Sequence, residues 1–265
     1  MIRVAISGAC GRMGKRLVEF ASAQPDMRVV AALEAPHHPD LGRDAGEVAG
    51  IKRLNVPITA DLPQGVDVLI EFTAPAPTVA HAQACAAAGV AIVIGTTGLS
   101  AEQKAAVTAL SARIPVLLAP NMSVGVNVAF EAAAMLAKTL GPGYDVEIVE
   151  MHHNKKKDAP SGTALGFAER IAGALGRDLA KDAVYGREGI VGERKPNEIG
   201  IHAVRGGDIV GEHRVIFAAP GERIELTHMA TTRDVFAHGA VRLARILAGK
   251  PPGSYTVKDL LLGGK

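Results

Sequence analysis

The sequence contains no tryptophan, only 3% aromatic residues and two cysteines. So few rings leave little material for base-stacking platforms. Cys10 and Cys85 stand far apart without metal-ligand spacing, so no metal centre is expected, and a reduced cytoplasmic protein is the simplest expectation. An excess of one charge is also missing. Lys and Arg total 29 against 27 Asp and Glu, a formal net charge of +2, which is too balanced for a nucleic-acid coat. No apolar run reaches the ~18–20 residues of a membrane span. The start, MIRVAISGACGRMG, lacks the long apolar core and cleavage pattern of a signal peptide. Neither a nucleic acid nor a membrane is therefore expected as a partner.

What is present is an alternation of short apolar runs and helical stretches over 265 residues, 48% of them hydrophobic. IRVAIS (2–7) reads as a buried strand; Gly8, Gly11 and Gly14 follow, then a helix from Lys15 to Ala23. MRVVAAL (27–33) is a second strand ending at Glu34, which completes a βαβ unit. Residues 36–57, rich in Pro, Gly and charge, read as a long irregular connection. Strands at 66–72, 90–95 and 115–120 alternate with helices at 77–88 and from about 100–102, which predicts an α/β, Rossmann-like, doubly wound parallel sheet. The rhythm changes after residue 123. A helix (124–140), a strand (144–153) and a helix (161–175) precede mostly strand-like sequence, with GG at 206–207 and PGE at 220–222 suited to hairpin turns. This predicts a second α+β domain with a mixed, largely antiparallel sheet, followed by a last helix at 235–248.

GACGRMG follows a strand and opens a helix. Its glycines permit a tight turn and close backbone approach, so the helix-start amides would face a pyrophosphate. Glu34, 20 residues past Gly14, stands where a carboxylate can accept from an adenosine ribose. The spacing is Gly-x-x-Gly-x-x-Gly, and an ordinary tight turn with Glu34 on the surface is the plain alternative. GTTG (95–98) and APNMS (119–123) end later strands, where an open parallel sheet lines its ligand crevice.

MHHNKKKDAPSGTA (151–164) packs five basic or titratable side chains into six positions just before a helix. His152 and His153 point to opposite faces if extended, and three lysines repel a cation, so zinc is not expected. Two like charges ~4 Å apart repel by roughly 4 kcal/mol at an effective dielectric of about 20, so a partly buried cluster calls for an anion. The helix-start amides of SGT donate to the same anion. A histidine beside such a pocket can deliver a proton near neutral pH. A hydride donor, an anion pocket and an acid together describe a reductase acting on a small unsaturated acid.

Across nearly its full length the sequence resembles the 4-hydroxy-tetrahydrodipicolinate (dihydrodipicolinate) reductases of bacterial lysine and diaminopimelate synthesis. The stretches that carry the resemblance are VAISGACGRMG, EFTAP, IGTTG, APNMSVGVN, EMHHNKKKDAPSGTA, GERKPNEIGIHAVRGGDIVGEH and AHGAVR. The resemblance implies a dinucleotide-binding domain of residues 1–123 and 233–265, and a substrate-binding and oligomerisation domain of residues 124–232 within a homotetramer. It implies NADH or NADPH as reductant and a cyclic dicarboxylate as substrate. By the same resemblance His152 is the acid and Lys156 its partner. His153, Lys156, Ser161, Gly162, Thr163 and Arg233 match substrate contacts. Gly8, Ala9, Cys10, Gly11, Arg12, Met13, Glu34, Gly95, Thr96, Thr97, Ala119, Pro120, Asn121 and Met122 match cofactor contacts.

Some members carry Arg immediately after the acidic residue, able to grip the 2′-phosphate of NADPH; here the position is Ala35. NADH is therefore expected to serve at least as well, with Arg12 or His37 available to compensate. Reaction would also require two domains to approach, with joints near 123 and 233 as hinges. Two other readings remain at this stage: another two-domain amino-acid-pathway reductase, and an NADH-sensing regulatory protein that needs no acid beside its anion pocket.

Overall fold

The computed structural model describes residues 1–263; the last two residues of the expected first domain lie outside the described residues. The chain divides into two compact units, Met1–Val124 with Asp234–Lys265, and Gly125–Arg233.

The first unit is a seven-stranded parallel sheet in the order β12-β6-β5-β4-β1-β2-β3. Its strands are β1 (Ile2–Ser7), β2 (Met27–Leu33), β3 (Ile58–Thr59), β4 (Val68–Glu71), β5 (Ala91–Ile94), β6 (Pro115–Leu118) and β12 (Gly253–Tyr255). Its helices are α1 (Arg12–Ser22), α2 (Ala45–Ala49), α3 (Pro75–Ala88), α4 (Ala101–Ala109) and α8 (Asp234–Leu247). The strands are almost continuously apolar because both faces are covered. Val4, Ile6, Val68, Ile70 and Val93 pack with Leu17 of α1 and Leu243 and Leu247 of α8. Ala5, Leu69, Ile92 and Ile94 point the other way, toward Cys85 of α3 and Val107 of α4. The strand order reverses between β1 and β4, and ligands of such sheets bind outside the carboxyl ends at that switch.

The sequence reading differs from this unit in several places. The helix after the glycines begins at Arg12, not Lys15, because extended Gly11 is its N-cap. The connection at 36–57 contains α2, whose N-cap Asp44 accepts from Gly46, Glu47, Leu54 and Val56. The chain also returns after α8 to add β12 beside β6.

The second unit holds α5 (Val124–Leu140), β7 (Asp145–His152), α6 (Gly162–Leu175), α7 (Leu179–Asp182), β8 (Ala183–Tyr185), β9 (Ile199–Arg205), β10 (Gly211–Ala219) and β11 (Glu222–Ala230). Its sheet order is β11-β10-β7-β9-β8. The pairs of β7 with β9 and of β8 with β9 are parallel, whereas β10 pairs antiparallel with β7 and β11. The turn at Pro220–Gly221 joins a true hairpin. Gly206 and Gly207 do not, because β7 lies between β9 and β10, so they turn the chain across a neighbour. Val146, Ile148, Ile201, Val215 and Phe217 of the sheet pack against Phe130 of α5 and Phe167 and Ile171 of α6.

Candidate active site

In the first unit the glycine loop leaves β1 at Ser7. Gly8 has φ +74, a left-handed conformation that favours glycine, and its Cβ would overlap the Phe72 carbonyl. A Cβ on Gly14 would overlap the Gly8 carbonyl, so only hydrogen lets α1 lie this close to its own loop. Gly8 and Ala9 donate to the Leu33 carbonyl at 3.0 and 3.1 Å, and Gly11 donates to Gly8 at 3.0 Å. Cys10 donates to Glu34 Oε2 at 3.1 Å. The amides left for an anion are those of Arg12, Met13 and Gly14, which the helix ladder does not use. Glu34 follows β2 and is also held by the Ala35 amide, which donates to Oε1 at 3.1 Å. These donors and this carboxylate fit a dinucleotide: helix-start amides for its pyrophosphate and Glu34 for its ribose.

Gly95, Thr96 and Thr97 follow β5, and the Phe72 ring fills the space a Cβ on Gly95 would need. Thr96 is 7% exposed, and its hydroxyl is turned inward, accepting from the Thr73 amide at 3.1 Å. Ala119, Pro120, Asn121 and Met122 follow β6; the Met122 carbonyl sits against Gly239 of α8, where a methyl group would overlap it. Burial and the carboxylates of Glu34 and Asp40 push the Cys10 thiol up to about 11, so it stays protonated. Cys10, His38 and Asp40 bring three ligand atoms within 4.8 Å of one another. Arg43 already pairs with Asp40.

In the second unit the basic block begins where β7 ends. His152, the last residue of β7, presents Nδ1 to Glu150 Oε2 at 2.6 Å. Glu150 is completely buried. Its oxygens also accept from both Arg205 guanidinium nitrogens at 2.8 Å and from the Ser161 amide at 2.9 Å. These partners outweigh burial and hold the Glu150 carboxyl below the usual range. With Nδ1 committed, His152 can exchange a proton only through Nε2, which lies on the side of Gly211. Burial lowers the His152 pKa, opposed by Glu150 and reinforced by Lys156 and Arg205.

Ser161 is the N-cap of α6: its hydroxyl accepts from Ala164 N at 3.1 Å and lies 3.1 Å from His213 Nε2. Its amide belongs to Glu150, so Ser161 joins the acid's support to the helix start. Gly162 and Thr163 occupy the next two positions, and space is open where a Cβ on Gly162 would be. Lys156 pairs with Asp158 at 2.9 Å. A cavity of about 570 Å³ is lined by His153, Asn154, Lys155, Gly207, Asp208, Val210, Thr231, Thr232 and Arg233. It gathers His153 and Arg233 but not Lys156, Ser161, Gly162 or Thr163. Arg233 donates toward His153 Nε2 at 3.4 Å, which assigns the proton of a neutral ring to Nδ1, a buried atom with no partner in the structure. Such an orphaned donor suits a carboxylate.

Glu150 and Arg205 were not singled out from the sequence as site residues. The signal available was an acidic residue two positions before His152, on the same face of the strand. The guanidinium that neutralises it comes from 55 residues away.

Comparison with known proteins agrees with this geometry. The family model described as "Dihydrodipicolinate reductase, N-terminus" matches residues 2–122, and "Dihydrodipicolinate reductase, C-terminus" matches residues 125–261. The 4-hydroxy-tetrahydrodipicolinate reductase of Anaeromyxobacter dehalogenans (strain 2CP-1 / ATCC BAA-258) is 52% identical over 270 residues, covering 100% of both chains. That of Syntrophotalea carbinolica is 53% identical, covering 98% of this chain and 99% of its own. The solved dipicolinate-bound dihydrodipicolinate reductase of Paenisporosarcina sp. TG-14 is 29% identical with a TM-score of 0.77, covering 98% of this chain and 99% of that one. The amine dehydrogenase of Mycobacterium smegmatis, 15% identical with a TM-score of 0.62, shares the fold. The chain thus belongs to the 4-hydroxy-tetrahydrodipicolinate (dihydrodipicolinate) reductase family, and it is an oxidoreductase of lysine and diaminopimelate biosynthesis.

Proposed function

We propose that the chain reduces the dehydrated form of 4-hydroxy-tetrahydrodipicolinate to tetrahydrodipicolinate, with His152 as proton donor and NADH at least as good a reductant as NADPH. The observation that carries this reading is the buried Glu150–His152 pair, 2.6 Å long, which fixes one tautomer and leaves Nε2 for chemistry. Reductases of this family use NAD(P)H, which supplies the hydride when bound.

The residues of the chain bind, orient and protonate. His153 Nδ1–H, Arg233 and the Gly162 and Thr163 amides hold the ring carboxylates; Lys156, released from Asp158, adds a charge. His152 is largely neutral before substrate arrives because burial lowers its pKa. Two incoming carboxylates favour its cationic form, so it charges where the acid is needed. Bound NAD(P)H would supply hydride to the conjugated double bond, and His152 Nε2–H would deliver the proton that completes the reduction. Residues 1–123 with 233–265 then hold the dinucleotide, and residues 124–232 hold the substrate and build a homotetramer. No helix among the described residues is long and apolar enough to cross a membrane, and the reaction is assigned to the cytoplasm.

The preference for NADH rests on Ala35, which offers no cation, and on Glu34, which two amides hold beside the ribose position. Steady-state comparison should give kcat/KM for NADH equal to or above that for NADPH; a tenfold advantage for NADPH reverses the assignment. The test of the reaction is NADH oxidation followed optically while the upstream aldol product is supplied. His152→Ala should lower kcat by about 10²–10⁴-fold with NADH binding intact; unchanged turnover removes His152 as the acid.

A further inference from the structure

At the switch point of the parallel sheet lies a second buried carboxylate, which the reduction does not use. Glu71 ends β4, pairs in register with Ser7 of β1 and is completely buried. No Lys or Arg among the described residues pairs with it. His81 of α3 faces its Oε2 through Nδ1 at 2.7 Å, with the Ser7 hydroxyl 3.2 Å from the same nitrogen. Oε1 receives the Thr73 hydroxyl and, at 3.2 Å, the Thr78 hydroxyl. Thr78 Oγ1 is in turn 2.9 Å from Thr96 Oγ1, which accepts from the Thr73 amide at 3.1 Å.

The Thr78 hydroxyl also lies 2.9 Å from the Ala74 carbonyl, which can only accept, so its single proton has a nearer acceptor than Glu71. The Thr73 amide donates to Thr96 and the Thr73 hydroxyl donates to Glu71, so Thr73 links the carboxylate to Thr96 directly; Thr96 can in turn donate to Thr78. The result ties the segment after β4 to the segment after β5, the latter holding Gly95, Thr96 and Thr97. With its hydroxyl spent inward, Thr96 offers main chain, not side chain, to the crevice.

We infer that Glu71, acting through Thr73 and Thr96, is a positioning residue for the cofactor: it fixes the backbone of residues 95–97 against which the dinucleotide is laid. The inference rests on the reading that this crevice binds the dinucleotide. A pre-set loop spares the cofactor the cost of ordering it, so loosening the network should weaken cofactor binding and leave substrate binding alone.

Direct NADH titration by nucleotide fluorescence tests it on the full chain. Thr96→Val keeps the shape and removes one link; the NADH dissociation constant should rise about three- to tenfold, in the range of one lost hydrogen bond. Thr96→Ser, which keeps the hydroxyl, should restore it. Glu71→Gln should weaken NADH at least as much, with KM for the dicarboxylate unchanged in both variants. Normal NADH affinity in folded Thr96→Val and Glu71→Gln, with only a lower melting temperature, overturns the inference. Should the wild-type chain fail to bind NADH, the nucleotide reading falls and takes this inference with it. NADH loss in both variants that Thr96→Ser does not restore also counts against the network.

Discussion

Glu71 and Glu150 are the same group in two different settings. Each lies at or near the carboxyl end of a strand, each is completely buried, and each engages a histidine Nδ1, at 2.7 and 2.6 Å. Glu150 is neutralised by a two-pronged guanidinium and a main-chain amide. Glu71 is surrounded by hydroxyls and a histidine. The first arrangement keeps a permanent charge beside an acid that must be tuned. The second gathers hydroxyls that link the segment after β4 to the segment after β5. Burial of a carboxylate thus does not name its task; the donors around it do.

The largest effect should come from removing the Glu150 carboxylate outright. Glu150→Ala leaves Arg205, a fifth exposed, without its carboxylate, so the loss of stability read by urea unfolding should approach but stay below the about 3–5 kcal/mol of a fully buried broken pair. Glu150→Gln keeps the volume and asks about the charge. Because Glu150 raises the His152 pKa, its loss lowers that pKa further, and an acid must be protonated to act. The alkaline fall of kcat/KM should therefore move to lower pH, a shift that a purely structural role would not produce. An unmoved profile would make Glu150 a scaffold and bring it closer to Glu71.

A smaller effect is expected in the glycine loop. Gly14→Ala sets a methyl group against the Gly8 carbonyl, and overpacking of this kind costs ~1–3 kcal/mol. NADH affinity should fall while binding of the dicarboxylate stays normal, which separates the two units as sharply as the two glutamates do.

An effect confined to acid concerns His213, beside Ser161. Burial lowers its pKa from 6.5 to about 3, so the folded protein holds it neutral. The unfolded chain binds the proton more readily between those values. Stability is complete above about 6.5 and is lost as pH falls toward 3. His213→Gln should flatten that part of the stability curve; an unchanged slope would assign the acid sensitivity to other groups.

What could be read from the sequence was local. GACGRMG and HHNKKKDAPSGT place backbone amides, charge and a proton donor within a few positions, so their chemistry shows before any fold is known. The alternation of apolar runs and helices gave the parallel sheet because both faces of each strand are buried. What could not be read depends on distant partners. Ser7 and His81 meet across 74 residues, and Arg205 reaches Glu150 across 55. The paired glycines at 206–207 looked like a hairpin because a turn's composition does not reveal that β7 lies between its two strands. β3, β8 and β12, of two or three residues each, are too short for a periodic signal.

The interrupted layout of the first unit has a consequence for biosynthesis. α8 contributes Ala237, Leu243 and Leu247 to the packing around β1 and β4, and β12 closes the edge beside β6, yet both come from beyond residue 233. A ribosome that has made only the first 233 residues has supplied everything for the inner, contiguous unit, while the earlier-made strands still lack a wall. The part translated first is therefore the part completed last, and until then the apolar face that α8 covers is left open.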